Sequence, residues 1–294
     1  MDCVTAEFDQ FEIKEPSLQT IPFVFNSPHS GRCYPKSFLD CARLDSFAIR
    51  RSADHYVDEL FSTATELGAP MLIANFPRAY LDVNREPYEL DPKMFDGPLP
   101  SFANIGSMRV AGGLGTIPRI VAENMEIYRH RLSVKEGLSR IDTIYKPYHS
   151  ALRRLIARTH EQFGISILID CHSMPGNIRL SGAETKPDFI IGDRYGTSAS
   201  AELSRASISI LNGLGFAAVR NKPYAGGFIT EHYGRPARGL HALQIEINRS
   251  LYINEVTFEK RPDFEAIVGS LFAFMRQLTE CVNELSGTTA LAAE

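Results

Sequence analysis

The sequence of 294 residues predicts an α/β fold, with a mixed, mostly parallel central sheet flanked by helices. Two observations support this prediction. Short runs with the composition of strands alternate along the chain with segments whose apolar residues recur at helical spacing. Several of these runs are apolar at nearly every position, which is typical of strands covered on both faces. No internal repeat or linker divides the sequence, so we expect a single domain over residues 1–294 with a loose tail at about 286–294.

The predicted strands are short apolar segments bounded by turn residues. The first reads IPFVFN and closes with Ser27 and Pro28, and Gly164 precedes the run ISILID. In chain order we predict strands at Ile21–Asn26, Pro70–Asn75, Ile165–Asp170, Phe189–Gly192, Ala217–Arg220 and Ala242–Asn248.

The predicted helices carry apolar residues three and four positions apart. The first ends at Gly68, and the long second helix could be divided at Gly137 or Pro147. We predict helices at 52–67, 120–163, 198–213 and 263–285. Residues 87–118 contain many Gly and Pro residues and are expected to form a long ordered loop.

Charge and composition exclude several classes of protein. The 31 Lys and Arg residues face 35 Asp and Glu residues, so the basic excess of a nucleic-acid-binding protein is missing. No apolar run approaches the roughly 18 residues that cross a bilayer. Residues 1–14 lack the cationic and apolar regions of a signal peptide. The five cysteines are scattered without a CxxC pair, which favours a reducing cytoplasm over a disulfide framework.

Polar side chains gather in four segments at or near the ends of predicted strands, where α/β sheets form their binding sites. These segments are Ser27–Gly31, Asp82–Arg85, Asp170–Ser173 and Gln244–Arg249. His29 and His172 each follow an apolar strand, and their imidazoles suit a divalent metal ion such as zinc. The coincidence of the four segments predicts one polar site.

A catalytic zinc site usually takes three protein ligands, so a carboxylate is expected beside the two histidines. We predict Asp54, because a loop or first-turn residue can reach a strand end; its alternative role is to cap the following helix. Asp58 and Glu59 lie one turn further on and stay open as ligands. Asp170 lies two residues before His172 on one strand face, so it could bind the metal or orient the imidazole.

Glu246 lies inside an apolar strand, where an unpaired carboxylate is costly to bury. It is either paired with Arg249 or a general base that removes a proton from water. Four arginines near strand ends or site loops could bind the carboxylates of a small dicarboxylic substrate. They are Arg78, Arg85, Arg179 and Arg249. Arg85 is the best placed because it adjoins Asn84, while residues 224–230 could form a flexible wall or a turn before a strand.

Together these segments resemble the N-formylglutamate amidohydrolases, zinc-dependent enzymes that complete one bacterial route of histidine degradation. The resemblance extends from about Ile21 to Asn254 in the family's order. The matching segments are SPHSGRCYP at 27–35, RSADHYVDELF at 51–61, LDVNRE at 81–86, LIDCHSMPG at 168–176 and YAGGFITEHYGRPARGLHALQIEINRSLYIN at 224–254. The chain is also similar to zinc carboxypeptidases and aspartoacylase-like deacylases, which implies a phosphorylase/hydrolase-like architecture.

The resemblance implies one zinc ion, or another divalent metal ion, bound by His29, Asp54 and His172. Those relatives take their carboxylate ligand from an HxxE loop. This chain departs from that pattern, because Arg32 and Cys33 stand where the Glu would follow His29. Asp54 is the residue that we expect to replace it.

The same resemblance implies hydrolysis of the formamide of N-formyl-L-glutamate to formate and L-glutamate. Glu246 would transfer the proton, and Arg78 would stabilise the oxyanion. Asn84 and Arg85 would hold one substrate carboxylate, and a further cationic group would hold the second. The additional candidates for substrate binding are Arg179 and Arg249.

Three other hypotheses stay open. Cys171 or Ser173 could act as a nucleophile with a nearby histidine as its base. The substrate could be another N-acyl amino acid, cleaved by a related zinc deacylase or carboxypeptidase. The chain could also be a non-catalytic module that binds an amino-acid-like ligand. We expect a small-molecule partner, no nucleic acid and no membrane, and the oligomeric state stays open.

Overall fold

A seven-stranded sheet lies at the centre of the computed structural model, which describes residues 8–179 and 186–291. The strands of the described chain are β1 (Phe11–Lys14), β2 (Phe23–Ser27), β3 (Met71–Ala74), β4 (Phe95–Asp96), β5 (Ile120–Ala122), β6 (Met125–Glu126), β7 (Leu132–Ser133), β8 (Ser166–Met174), β9 (Phe189–Gly192), β10 (Ala218–Arg220) and β11 (Leu240–Asn248). The order in the central sheet is β1-β3-β2-β8-β11-β9-β10. Strand β8 is parallel to β2 and β11, β9 is parallel to β10, and β9 is antiparallel to β11. The predicted mixed, mostly parallel α/β class is confirmed.

Helices join and cover these strands. They are α1 (Lys36–Cys41), α2 (Val57–Leu60), α3 (Met108–Ala111), α4 (Val134–Arg140), α5 (Lys146–Phe163), α6 (Ala201–Gly213), α7 (Phe228–Tyr233) and α8 (Phe264–Leu291). A π-helical turn at Ile141–Tyr145 joins α4 to α5. Pro147 follows two residues after this turn, and its missing N–H interrupts the regular α-helical bonding.

The central strands are apolar because both of their faces are covered. Every residue of β2, β3, β8 and β9 is buried. Such continuous burial explains why their sequences lack the alternation of polar and apolar residues that a half-exposed strand shows. Among the helices of the described residues, none has both the length and the apolar character that crossing a bilayer requires.

The chain forms two compact units, and the first contains Ser27–His55, Leu72–Arg154 and the described residues before Lys14. Within this unit, Arg140 at the end of α4 is buried, with its guanidinium carbon 3.9 Å from the centre of the Tyr80 ring. Its Nη1 also donates to the Tyr80 carbonyl at 3.1 Å. These contacts fix the chain just before the polar segment that begins at residue 82.

The second unit contains Lys14–Asn26, Tyr56–Met71 and the described residues from Leu155 onwards. Here β8 and β11 pair in parallel along the full length of both strands. Helix α7 packs on both of these strands, and α8 packs on α6 and α2. The long pairing sets which polar side chains of the two strands are neighbours. That residues 1–294 act as one catalytic domain stays a prediction.

Two predicted helices are wrong in part. The segment at 52–67 contains only α2 and a 3-10 turn at Ser62–Ala64, since Tyr56 adopts a left-handed backbone (φ 59°) that a continuous helix excludes. The helix predicted from residue 120 begins at Val134. Residues before it form β5 and β6, joined through Asn124, whose φ of 59° suits a tight turn.

Other elements were absent from the prediction or differ from it. The short elements β1, α1 and α7 were not predicted. Residues 87–118, expected to form a loop, also contain the two-residue strand β4 and the four-residue helix α3. Residues 224–227 lead into helix α7, not into a strand, with Gly227 at its N-cap. The tail predicted to be loose from Ser286 is helical as far as Leu291, because no Pro interrupts α8 there; residues 292–294 lie outside the described chain.

The close approach of the Phe76 backbone to Gly31 predicts that only glycine is tolerated at this position beside the polar site. A Cβ at this position would lie 2.0 Å from the carbonyl oxygen of Phe76, which is a backbone atom that cannot rotate away. We therefore expect Gly31→Ala to lower the free energy of unfolding by about 1–3 kcal/mol in urea denaturation. Gly213→Ala is the matched control, since a Cβ at Gly213 would meet no atom of the described chain within 4 Å apart from the adjacent backbone of its own helix. Equal stability of the two variants would contradict the close approach.

Candidate metal centre

His29 lies two residues after β2 and is held between two buried carboxylates. Its Nε2 is 2.7 Å from Oδ1 of Asp82, and its Nδ1 is 3.4 Å from Oδ2 of Asp54. The backbone N–H of Asp54 also donates to the His29 carbonyl at 3.0 Å. Two ligand atoms at about 2.0–2.1 Å from one tetrahedral zinc ion lie roughly 3.4 Å apart. The separation of Nδ1 from Oδ2 therefore fits a shared metal ion.

Asp82 is the charged partner of the His29 ring. Its Oδ2 accepts from Nε of Arg78 at 3.0 Å and lies 3.5 Å from Nη2 of Arg85, while Oδ1 accepts from the backbone N–H of Asn84. Burial alone would raise the pKa of Asp82, but the two arginines and the histidine outweigh burial and hold this pKa well below its usual range. An ionised Asp82 accepts a hydrogen bond from the Nε2–H of His29, so Nδ1 is the unprotonated nitrogen and faces Asp54.

The loop that contains Asp82 is held in place by side chains of the neighbouring helix. The hydroxyl of Tyr145 donates to the carbonyl of Arg85 at 2.6 Å, and Nε2 of His149 donates to the carbonyl of Val83 at 2.8 Å. The Tyr145 and His149 rings pack together, with centroids 4.3 Å apart. These contacts satisfy buried backbone carbonyls and set the position of the Asp82 carboxylate.

Two of the guanidinium nitrogens of Arg85 donate hydrogen bonds to backbone carbonyls. Its Nε donates to the carbonyl of Leu114, and its Nη1 donates to the carbonyl of Asn84, both at 2.8 Å. Burial lowers the pKa of Arg85 to about 10, while Asp82 opposes that effect, so Arg85 is a cation at neutral pH. In the structure the predicted Asn84–Arg85 pair therefore helps to hold the backbone beside the candidate metal centre.

His172 is oriented by a second carboxylate in the same manner. Asp170 lies two residues earlier on β8, and its Oδ2 is 2.8 Å from Nε2 of His172. Its Oδ1 accepts from the side-chain amide of Asn26 at 2.7 Å. Both oxygens of Asp170 are therefore engaged, which is the geometry of a residue that orients an imidazole. The ring nitrogen of His172 that faces away from Asp170 is Nδ1.

Three of the predicted metal ligands come together. One ligand atom from each of His29, Asp54 and His172 lies within 4.8 Å of the other two, and all three residues are buried. Two imidazoles and one carboxylate form a donor set that suits zinc and leaves a coordination position for water. Asp54 does not cap α2, whose N-cap is Tyr56. The group does not include the alternative ligands Asp58, Glu59 and Asp170.

Glu246 lies beside His172 on the neighbouring strand. The register of β8 and β11 pairs these two residues, so their side chains project from the same face of the sheet. Glu246 is only 7 % exposed, and its Oε1 accepts from Nε2 of Gln244 at 2.7 Å. The predicted base therefore lies next to a predicted metal ligand, with one carboxylate oxygen held by an amide.

The two remaining predicted arginines differ in their surroundings. Arg249 directly follows β11 and is buried, with Nε donating to Oγ of Ser173 at 2.9 Å. Arg179 is exposed and follows β8 next to residues 180–185, which lie outside the described chain. The structure does not place Arg179 against the other predicted site residues.

The geometry disfavours a covalent mechanism through residues 171 or 173. Side chains alternate along a strand, so Cys171 and Ser173 project from the face of β8 opposite to His172. Burial, reinforced by the charge of Asp170, raises the pKa of the Cys171 thiol well above its usual range. Oγ of Ser173 already accepts from Arg249. Both side chains therefore point away from His172, so His172 cannot serve either of them as a base.

Three residues without a predicted role complete the arrangement, namely Asn26, Asp82 and Gln244. Asp82 and Gln244 lie within two of the predicted polar segments. A signal for one of them was present in the sequence. Polar residues two positions apart in an otherwise apolar strand, such as Gln244 with Glu246, share one face and are expected to interact. No comparable local pattern links Asp82 to His29, which precedes it by 53 residues.

The fold and this donor set define a class: α/β proteins with a buried group of two imidazoles and a carboxylate that could hold a metal ion. Residues 21–253 match the model of the N-formylglutamate amidohydrolase family. The chain belongs to this family.

The names of proteins with similar sequences or structures are consistent with this family match. The chain is 29% identical over 238 residues to an N-formylglutamate deformylase of Pseudomonas putida, covering 80% of this chain and 83% of that protein. It is 28% identical over 265 residues to the N-formylglutamate deformylase of Pseudomonas aeruginosa, covering 88% and 92%. The crystal structure of N-formylglutamate amidohydrolase from Ralstonia eutropha superimposes with a TM-score of 0.86 at 32% identity, covering 95% of this chain and 99% of that chain.

The hydrogen bonds of Asp170 to Asn26 and His172 predict that Asp170→Asn weakens metal binding. The amide oxygen of the new residue must face the donor of Asn26, so its NH2 group must face Nε2 of His172. That arrangement favours a hydrogen on Nδ1 of His172 and removes the lone pair that a metal ion needs. We expect zinc affinity to fall by about 10- to 100-fold in a competition titration with a chromophoric chelator.

The matched control is Asp142→Asn, because Asp142 is exposed and pairs across the helix surface with Lys146. This variant should keep the wild-type affinity for zinc. An Asp170→Asn protein that binds zinc as tightly as the control would contradict the assigned orientation of His172.

Proposed function

We propose that the chain is a metal-dependent amidohydrolase that cleaves N-formyl-L-glutamate to formate and L-glutamate. The observation that supports this proposal best is the buried group of His29, Asp54 and His172. Family membership and the names of the relatives agree with it, since both curated relatives are N-formylglutamate deformylases. In this role the enzyme would complete a route of histidine degradation, and the scattered cysteines favour the cytoplasm as its location.

Zinc is the metal ion that the donors favour, and one ion is expected. The residues fit it because a carboxylate at Nε2 orients each imidazole. One ligand atom of each histidine and one of Asp54 also lie within 4.8 Å of one another. When bound, a zinc ion supplies Lewis-acid chemistry, since it polarises a carbonyl oxygen and lowers the pKa of water. Asp54 would bind it as the carboxylate ligand, with His29 and His172 as the imidazole ligands.

Glu246 would act as the general base and then as the general acid. It accepts a proton from the water molecule that attacks the formyl carbon, and it returns this proton to the nitrogen as the C–N bond breaks. The products are then formate and the free amine of glutamate, which balances the addition of one water molecule. The position of Glu246 beside His172 on the paired strand supports this role.

Cationic and amide groups would recognise the rest of the substrate. Arg78 would stabilise the negative charge that develops on the formyl oxygen, since its guanidinium is a cation and is partly exposed beside Asp82. Asn84 and Arg85 would hold one carboxylate of the glutamate moiety. Arg249 is the buried candidate for the second carboxylate, and Arg179 could contribute from the exposed chain that follows β8.

The proposal predicts which substrates the enzyme cleaves. Purified protein should release formate from N-formyl-L-glutamate faster than it cleaves N-formyl-L-aspartate or N-acetyl-L-aspartate, measured as kcat/KM with a formate assay and an amine assay. Chelation should abolish activity, and zinc should restore it. Activity confined to acetylated substrates would indicate a related deacylase, and binding without turnover in the zinc-loaded protein would indicate a binding module.

Glu246→Gln provides the matched variant for this experiment. The change keeps the size of the side chain but removes the base, so kcat should fall by about 100- to 10,000-fold. Zinc content, measured by atomic emission, should stay that of the wild type, because Glu246 is not one of the proposed ligands. A variant with wild-type kcat would exclude Glu246 as the base.

A further inference from the structure

Gln244 is held between the backbone of one loop and the side chain of Glu246. Its Oε1 accepts from the backbone N–H of Gly227 at 2.8 Å, and its Nε2 donates to Oε1 of Glu246 at 2.7 Å. Both Gln244 and Glu246 are buried. A backbone N–H can only donate, so the amide oxygen must face Gly227 and the amide nitrogen must face Glu246. The orientation of the Gln244 side chain is therefore fixed at both ends.

The loop that supplies the Gly227 N–H is fixed in its turn. Gly192 pairs with Gln244 across β9 and β11, and a Cβ at Gly192 would lie 2.8 Å from both the carbonyl carbon of Ala225 and the nitrogen of Gly226. The loop backbone thus rests directly on the strand, where only glycine fits. The backbone N–H of Arg194 also donates to the Ala225 carbonyl at 2.7 Å.

The far side of the loop is anchored by a buried hydroxyl. Thr230, on the first turn of α7, donates from Oγ1 to the Gly227 carbonyl at 2.9 Å. Gly226 has a φ of 117°, which a residue with a side chain rarely adopts. The peptide unit that contacts Gln244 is therefore restrained on both sides by contacts that do not involve the proposed substrate groups.

We propose that Gln244 is a positioning residue that transmits the fixed position of the Gly227 peptide to the carboxylate of Glu246. This proposal rests on the proposed role of Glu246 as the base. A carboxylate can rotate about its last bond, and a proton transfer requires it to face the attacking water within hydrogen-bond distance. By holding Oε1, Gln244 sets the plane of the carboxylate and so the direction in which the other oxygen points.

The kcat of a Gln244 variant distinguishes a glutamine that only fills space from one that orients the base. Gln244→Met keeps the length of the side chain but removes both hydrogen bonds. We expect kcat for formate release to fall by about 10- to 100-fold, the order of effect for a hydrogen bond to a charged group, with KM and zinc content unchanged. Gln19→Met is the structural control, since Gln19 is also buried and donates to Thr159. It should lower the melting temperature without changing kcat.

The route through the loop is tested by a second pair of variants. Gly192→Ala should displace the Ala225–Gly227 backbone and lower kcat in the same way. Gly213→Ala should not, because its new Cβ meets none of the described neighbours within 4 Å apart from the adjacent backbone of its own helix. If Gly192→Ala and Gln244→Met act through the same hydrogen bond, the kcat of the double variant should be no lower than that of the more impaired single variant. Fully multiplicative losses in kcat would overturn the proposed route.

Crystal structures of the wild-type protein and of Gln244→Met separate this proposal from the proposed function. Glu246 should adopt one carboxylate orientation in the wild type and a rotated or divided one in the variant. If the wild type is inactive on N-formyl-L-glutamate, the function proposal fails while these structures still decide the positioning claim. An unchanged Glu246 carboxylate in the variant, or a loss of kcat no larger than that of Gln19→Met, would overturn it.

Discussion

The candidate metal centre depends on two buried carboxylate–imidazole pairs. Asp82 takes Nε2 of His29, and Asp170 takes Nε2 of His172, at 2.7 and 2.8 Å. Each pair fixes the tautomer of a histidine, and each leaves Nδ1 as the nitrogen that can bind a metal ion. Without such partners the buried rings could rotate or adopt the other tautomer, so the orientation of both imidazoles depends on the two carboxylates.

The pairs are held by different structural means. His172 and Asp170 share one face of a fully buried strand, and the parallel register adds Glu246 and Gln244 at neighbouring positions. Asp82 lies on a loop, so its position needs separate support. The charges of two arginines and the hydrogen bonds from Tyr145 and His149 to the loop carbonyls supply it.

The sequence was sufficient to predict residues whose position follows from a local pattern. Apolar runs indicated the central strands, and the polar residues that end them indicated the two histidines and Glu246. The partner of His29 was not predictable in this way, because Asp82 lies 53 residues away and reaches it only in the folded chain. Residues 120–133 were assigned to a helix because the apolar spacing of short strands resembles helical spacing over so few residues.

The claim that His29 and His172 bind one cation is tested most directly by anomalous diffraction at the zinc absorption edge from crystals soaked in zinc. We expect a single strong peak within about 2.0–2.2 Å of Nδ1 of both histidines and of a carboxylate oxygen of Asp54. A peak bound to other residues, or protein that stays without zinc at this group under saturating metal, would contradict the account.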